Sequence, residues 1–355
     1  MDNAKYIGMD VHKETISIAV LDSAGKLVME TVIETKAITI VQFVQGLRGD
    51  LHVTVEEGTW AAWLYDLLRP YVTEVLVCDP RKNALLKVGN KSDRIDARKL
   101  AELFYLNRLT PVYHGEHGVR TLKELSHSYL AISGDVARVM TRLKAVYRSW
   151  AIACAGKQVY APRYRAEWLG KIREAGVRRR AEFYYQQLDG LRSLRQQVRR
   201  ELLAESGKHQ ASKLLCQIPS IGPIRAAQLI AILQTPHRFR TKRQLWAYGG
   251  LAIETHSSAD HRYVDGKLWP SKRQVSLRGL NRNHNHDLKN IFKGAAIIAA
   301  TKAGPFQEFY AALVAKGMRP EMARLTLARK IAAITLLVWK KAVSFDAQHL
   351  KPQTA

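Results

Sequence analysis

Tyr6 to Asp22, YIGMDVHKETISIAVLD, reads as two short strands joined by a tight polar turn at Val11-His12-Lys13-Glu14. Ile7 and Met9 stand before the turn, and Ile16, Ile18, Val20 and Leu21 follow it, so both strands carry core-type side chains. Asp10 ends the first strand, where the pattern otherwise asks for another apolar residue. A carboxylate there is costly unless it is paired, solvated or bound to a metal. Taken alone, Asp10 reads as a turn aspartate that accepts backbone hydrogen bonds. The rest of the chain gives it a second reading.

Outward from the hairpin, the first 110 residues alternate strand and helix signals. Lys26 to Glu34 (KLVMETVIE) is a third strand of the same meander, and Ile38 to Leu47 has helical spacing. Leu51 to Val55 (LHVTV) is a strand closed by Glu56-Glu57-Gly58. Trp60 to Leu68 is an amphipathic helix, and Glu74 to Cys78 is a strand stopped by Asp79-Pro80. A three-strand meander followed by strand and helix units is the order of a ribonuclease-H-like α/β domain, although other α/β folds begin the same way. In Asn90-Lys91-Ser92-Asp93-Arg94-Ile95-Asp96-Ala97, Ser92 is a helix N-cap and Ala97 to Leu106 is strongly helical. Asp93 and Asp96 share one helix face and repel unless a cation lies between them. Alternatively, they stabilise the helix through its N-terminal dipole. Together, Asp10, Glu56 or Glu57, Asp93 and Asp96 suit a two-metal site that clamps the attacking and leaving oxygens of a phosphodiester.

Charge separates this region from the rest of the chain. The 355 residues carry a formal net charge of +25. Up to residue 116 there are 14 Lys+Arg against 16 Asp+Glu, and from 117 onward 42 against 15, so the excess lies in the second part. Residues 206–253 contain no acid. An excess so localised points to a polyanion, most often nucleic acid. Three scattered cysteines, Cys78, Cys154 and Cys216, form neither a disulfide framework nor a zinc spacing and suggest a reducing, cytoplasmic setting. Neither a membrane span nor a secretory signal is expected.

From Leu122, the residues Leu125, Tyr129, Ile132, Val136, Val139, Leu143, Val146 and Trp150 follow a 3-4 spacing, the seam of a coiled coil or a long bundle helix, with Gly134 weakening its middle. After a polar stretch with Arg178-Arg179-Arg180, a second helix carries Leu188, Leu191, Leu194, Val198 and Leu202. Its other face holds Arg192, Arg195, Arg199 and Arg200, either solvated or in contact with phosphates. The expectation is an antiparallel arm over 117–205 that self-associates or spans between an α/β domain at 1–116 and a mostly helical domain at 206–350.

In that last domain, residues 214–232 have the form helix, Ile218-Pro219-Ser220-Ile221-Gly222-Pro223, helix. Such a turn presents backbone N–H groups at a helix N-terminus, the helix-hairpin-helix pattern of sequence-independent DNA binders, here at Ile221, Gly222 and Arg225. An ordinary pair of helices is the alternative. Arg238, Arg240, Lys242 and Arg243 then mix with Trp246 and Tyr248, and extend the basic surface. His256 to Arg262 reads as a polar loop in which a serine becomes a nucleophile toward phosphorus only if arginines stabilise the developing charge. Asn283-His284-Asn285-His286-Asp287 looks like a metal box but lacks a second ligand cluster.

These residues resemble the insertion-sequence transposases of the IS-one-ten family, over nearly the whole chain. Gly8-Met9-Asp10 matches the family's G-x-D, Glu56 its strand-end glutamate, and Lys91-Ser92-Asp93 with Asp96-Ala97 its K-[ST]-D-x-x-D-A. Ile218 to Pro223 matches I-P-G-I-G-P with Ser220 in place of the first glycine, and Ala247 to Leu251 matches A-x-x-G-L. The resemblance implies a RuvC-like domain whose Asp10, Glu56, Asp93 and Asp96 bind Mg²⁺, with Mn²⁺ able to substitute. It also implies a serine nucleophile at Ser258, or at Ser257, because the family's Ser-Gly is here Ser257-Ser258-Ala259. The implied activity is excision and insertion of an element through a phosphoserine link to DNA. The implied partners are donor and target DNA, an element-encoded non-coding RNA that selects both, and further copies of the chain, as a dimer or tetramer pairing one copy's serine with another's acids. Rival readings are a RuvC-like junction nuclease that uses the acids with water, a transposase that uses the acids alone, and a tethering protein without metal chemistry.

Overall fold

The stretch at residues 6–22 folds as two antiparallel strands, β1 (Ala4–Val11) and β2 (Thr15–Leu21), and β3 (Leu27–Glu34) completes the meander. The computed structural model describes residues 3–83, 92–114, 119–256, 261–264, 266–270 and 277–350. It divides into two units, Met1–Glu116 and His117–Ala355.

After the meander come α1 (Ala37–Gln45), β4 (Asp50–Glu56), α2 (Ala61–Leu68), β5 (Glu74–Cys78), the short α3 (Pro80–Asn83) and α4 (Asp93–Tyr105). The five strands form one mixed sheet in the order β3-β2-β1-β4-β5, with β4 parallel to both β1 and β5. Alternation along β1 separates two faces. Ile7 and Met9, with Val53 and Val55 of β4, are buried against Ile40 and Val44 of α1 and Leu64 and Leu68 of α2. The opposite face carries Gly8 and Asp10 and is covered by α4 through Ala97, Leu100, Ala101 and Phe104.

The approach of α4 to β1 is set by Gly8. A Cβ built there would overlap the carbonyl oxygen of Ala97 and come within 2.5 Å of the amide nitrogen of Ala101. Glycine on the strand and alanines on the helix let the two backbones touch. Ser92 starts α4, as expected, with its hydroxyl accepting from the Ile95 amide at 3.3 Å. Helical structure begins at Asp93, earlier than the apolar spacing suggests. At the meander edge, Arg98 donates to Glu30 at 2.8 and 3.0 Å and Arg94 at 3.3 Å, which fastens α4 across β3.

The second unit opens with α5 (Arg120–Arg148), followed by α6 (Arg165–Gly170) and α7 (Ala175–Gly207). Leu122 shares a core with Leu202, and Tyr147 meets Tyr185, so α5 and α7 run antiparallel. The seam residues serve two cores. Leu122, with Leu125 and Tyr129 beside it, belongs to the core of the later helices, whereas Val136, Val139, Leu143 and Val146 join Tyr160, Trp168, Ile172 and Leu188 at the far end. Trp150 lies beyond α5, 49% exposed, because Ala151 turns the chain with φ 55°. Arg178, Arg179 and Arg180 lie inside α7, which starts earlier than expected because the Glu174 carboxylate caps the amides of Gly176 and Val177. At the far end, Tyr185 Oη donates to the Val159 carbonyl at 2.8 Å, and burial pushes the Tyr147 and Tyr185 hydroxyls up in pKa.

The remaining helices are α8 (Gln210–Leu215), α9 (Pro223–Leu233), α10 (Lys242–Tyr248), α11 (His286–Thr301), α12 (Pro305–Ala315) and α13 (Pro320–Lys341). The buried face of α9 packs with α11 and α13 into one core. Between α10 and α11 the described residues form four short strands that the sequence there does not announce: β6 (Ile253–His256), β7 (His261–Val264), β8 (Lys267–Pro270) and β9 (Leu277–Leu280). β6 pairs with β9 and β7 with β8, both antiparallel. No described helix is long and apolar enough to cross a membrane.

Gly8→Ala is expected to cost about 3 kcal/mol, the upper part of the range for overpacking, because the obstructing atoms are backbone. Urea unfolding followed through the N-terminal unit measures this; an unchanged midpoint would contradict the close contact.

Candidate functional site

Asp10 sits at the end of β1 with its side chain 19% exposed. Its parity is that of Gly8, so it faces the α4 side. On the neighbouring parallel strand, Gly8 pairs with Thr54, and Glu56 lies two residues beyond Thr54 on the same face. Asp10 and Glu56 therefore occupy adjacent strand ends, each one residue past the Met9–Val55 pair.

Parity separates Glu56 from Glu57. The Glu57 carboxylate accepts from Nε2 of His114 at 2.8 Å, and His114 stacks on Tyr65 with 5.2 Å between ring centroids. Glu57 is thus held away toward the end of the unit by a partner of its own.

Asp93, one turn before Ala97, is brought to Asp10 by the same contact of α4 with Gly8. Between them lies His12, whose Nε2 is 3.2 Å from Oδ2 of Asp10 and 3.4 Å from Oδ1 of Asp93. One ligand atom from each of the three lies within 4.8 Å of the others, and among the described residues this is the group able to hold a metal ion. The donor set, two carboxylate oxygens and one imidazole nitrogen open to solvent, fits a divalent cation. Glu56 and Asp96 do not belong to this group; Asp96 lies in the first turn of α4, partly buried. Sequence reasoning passed over His12 as a turn residue. His12 lies one residue past β1, where strand parity alone does not place its side chain.

In the second unit the expected nucleic-acid residues divide by what they already touch. Ile221 is 1% exposed and belongs to the core. Arg225 donates to the Ser220 carbonyl at 2.9 Å and closes the turn between α8 and α9, while burial pulls its pKa down. Arg238 donates to the Ile232 carbonyl at 3.3 Å and lies over the rings of Phe239 and Tyr248. Arg192 holds the Tyr160 carbonyl at 2.8 Å. Arg240, Lys242, Arg243 and Arg199 are exposed, Arg195 partly so, and Gly222 stands exposed at the uncapped start of α9. Ser257, Ser258 and Lys91 lie outside the described residues.

Two backbone positions explain motif letters. Ser220 has φ 69° and a buried hydroxyl without a hydrogen-bond partner. Gly250 has φ 61°, and a Cβ there would come within 2.5 Å of the His284 ring. His284 is a packing residue: its Nδ1 lies 2.6 Å from the Asn281 carbonyl, and burial pulls its pKa down.

Two family matches bear on this arrangement. Residues 7–150 match a DEDD-type family described as a transposase, and residues 212–311 match the family described as Transposase IS116/IS110/IS902. Both units are thus of transposase type. The chain belongs to the IS110 family of transposases. A transposase for insertion sequence element IS1533 from Leptospira borgpetersenii is 34% identical over 108 residues, 29% of this chain and 31% of that protein. The match therefore spans about a third of the curated relative.

Ser220→Gly is expected to stabilise the second unit by about 1 kcal/mol, by relieving the left-handed serine and removing its unpartnered hydroxyl, less the entropy glycine adds to the unfolded chain. In calorimetry this is an upward shift of about 2–4 °C; a fall would contradict the turn geometry.

Proposed function

We propose that this chain is a DNA transposase that excises and inserts an insertion sequence, with a RuvC-like, ribonuclease-H-like N-terminal unit. The observation that carries the reading is the convergence of Asp10, Glu56 and the first turn of α4 at one end of the β3-β2-β1-β4-β5 sheet. That strand order, with β1 antiparallel to β2 and parallel to β4, supports the ribonuclease-H-like assignment. Asp10, Glu56, Asp93 and Asp96 are the proposed ligands of Mg²⁺, which when bound would stabilise negative charge developing on the scissile phosphate.

Ser258 is the proposed nucleophile. Its oxygen bonds to phosphorus as the bond from phosphorus to a deoxyribose oxygen breaks, and that oxygen leaves as a hydroxyl carrying the proton. Reversal of the step by a second DNA hydroxyl joins new ends and frees the serine. The exposed Arg240, Lys242 and Arg243 beside Trp246 suit a DNA or RNA backbone. The turn between α8 and α9 supports a helix-hairpin-helix reading, with Gly222 and the first amides of α9 toward a phosphate and Arg225 keeping the turn in shape. Guidance by an element-encoded RNA and assembly of several copies follow from the family resemblance and belong to the same proposal.

Excision of the element from a plasmid carrying its native flanks, read by amplification across the circle junction, tests the reading. Junctions are expected from wild type and from neither Asp10→Ala nor Ser258→Ala. Junctions persisting in both Ser258→Ala and Ser257→Ala would leave a transposase using the acids alone. Within the acids, Glu56→Gln is expected to lower junction yield at least about a hundredfold, the scale of losing one transition-state contact. Glu57→Gln should lower it less than about tenfold, and the reverse order would reassign the ligand.

A further inference from the structure

We infer that His12 is a ligand of the divalent cation, so that the site is a mixed nitrogen and oxygen site that favours transition-metal ions over Mg²⁺. The inference rests on the proposed metal site at Asp10 and deepens it by assigning a residue outside the four acids. Three observations carry it. His12 shares the face of Asp10, and its Nε2 points at both carboxylates, at 3.2 and 3.4 Å. Those separations are of the length that adjacent ligands keep around one divalent cation. The backbone of His12 is fixed at both ends: its amide donates to the Thr15 carbonyl at 2.9 Å, and its carbonyl accepts from Thr35 Oγ1 at 2.9 Å. The turn thus holds the half-exposed ring with Nε2 beside the strand-end carboxylates.

The donor chemistry sets the consequence. Carboxylates only accept, so without a cation Nε2 must carry its hydrogen toward Asp10; around a cation the other tautomer turns the Nε2 lone pair inward. Mg²⁺ strongly prefers oxygen ligands, whereas imidazole suits later divalent ions. A histidine here tilts the site away from Mg²⁺ while leaving the oxygen ligands to hold either ion.

Manganese provides the probe, because its electron spin echo is modulated by a directly bonded ¹⁴N. In the full chain loaded with Mn²⁺, wild type is expected to show ¹⁴N modulation and His12→Gln to lose it. His12→Gln should also weaken Mn²⁺ at least about tenfold and Mg²⁺ less. His12→Asp supplies an oxygen in place of the nitrogen. It should bind metal without modulation and with the preference shifted toward Mg²⁺, which separates loss of a ligand from loss of fold. Stoichiometric Mn²⁺ without ¹⁴N modulation in wild type, or modulation surviving in His12→Gln, would overturn the assignment of His12 and leave the carboxylate site standing. No more Mn²⁺ bound by wild type than by Asp10→Asn would overturn the metal reading itself, and His12 with it.

Discussion

The contact of α4 with β1 at Gly8 is the constraint on which the first unit depends. A side chain at residue 8 would meet the backbone at Ala97 and Ala101. With none there, the helix lies on the sheet closely enough for its first turn to overhang the end of β1, and Asp93 comes within reach of His12 and Asp10. The carboxylates are thus gathered by a packing contact one helical turn away from them. Their mutual repulsion would otherwise favour moving α4 outward. The small-residue contact and the clamp of Arg94 and Arg98 on Glu30 oppose that movement, and the proposed cation would oppose it further.

The positive charge of the second unit has two distinct uses. Arg329 donates to the Leu251 carbonyl, Lys340 to the Phe239 carbonyl, Arg225 to Ser220 and Arg192 to Tyr160, so these cations tie chain segments together. Arg165 is consumed on Asp189 at 2.7 Å while lying over the Tyr185 ring. A carbonyl satisfies such a donor without neutralising it, so the charge still adds to the field around the unit. Arg199, Arg240, Lys242 and Arg243 are exposed instead, as are Arg179, Arg200 and Lys213. Net charge therefore does not by itself separate the cations that tie the chain together from those that face solvent.

Much of the first unit was legible because its strands are short apolar runs bounded by polar turns: the strand from Glu74 to Cys78 forms as expected, and the others shift by a residue or so. Asp10 and Glu56 were legible as polar residues at strand ends, and Asp93 and Asp96 as a pair behind a helix cap. His12 was not, because histidine in a turn needs no explanation until the strand face is known. The arm shows the limit of periodicity. A 3-4 spacing reports that one face is covered, but not by what, and α5 uses its two ends in different cores. The strands from Ile253 to Leu280 escaped because each is four residues long, too short for alternation to register.

Motif letters and chemistry then separate. Gly8, Ser220 and Gly250 each stand at a glycine of the family pattern, and each is explained by backbone: one close helix approach and two positive φ angles. None carries a reactive group toward a substrate. Ser220 makes the point directly, since a serine at a glycine position keeps the left-handed conformation and buries a hydroxyl with nothing to bond to. These positions specify the scaffold on which function is built. The proposed chemistry rests on far fewer atoms, the carboxylates around Asp10 and a serine hydroxyl, and a scaffold match alone does not supply them. A chain with every glycine in place but a neutral residue at Asp10 would keep the fold and the family resemblance, and would lose the group around which the proposed cation site is built.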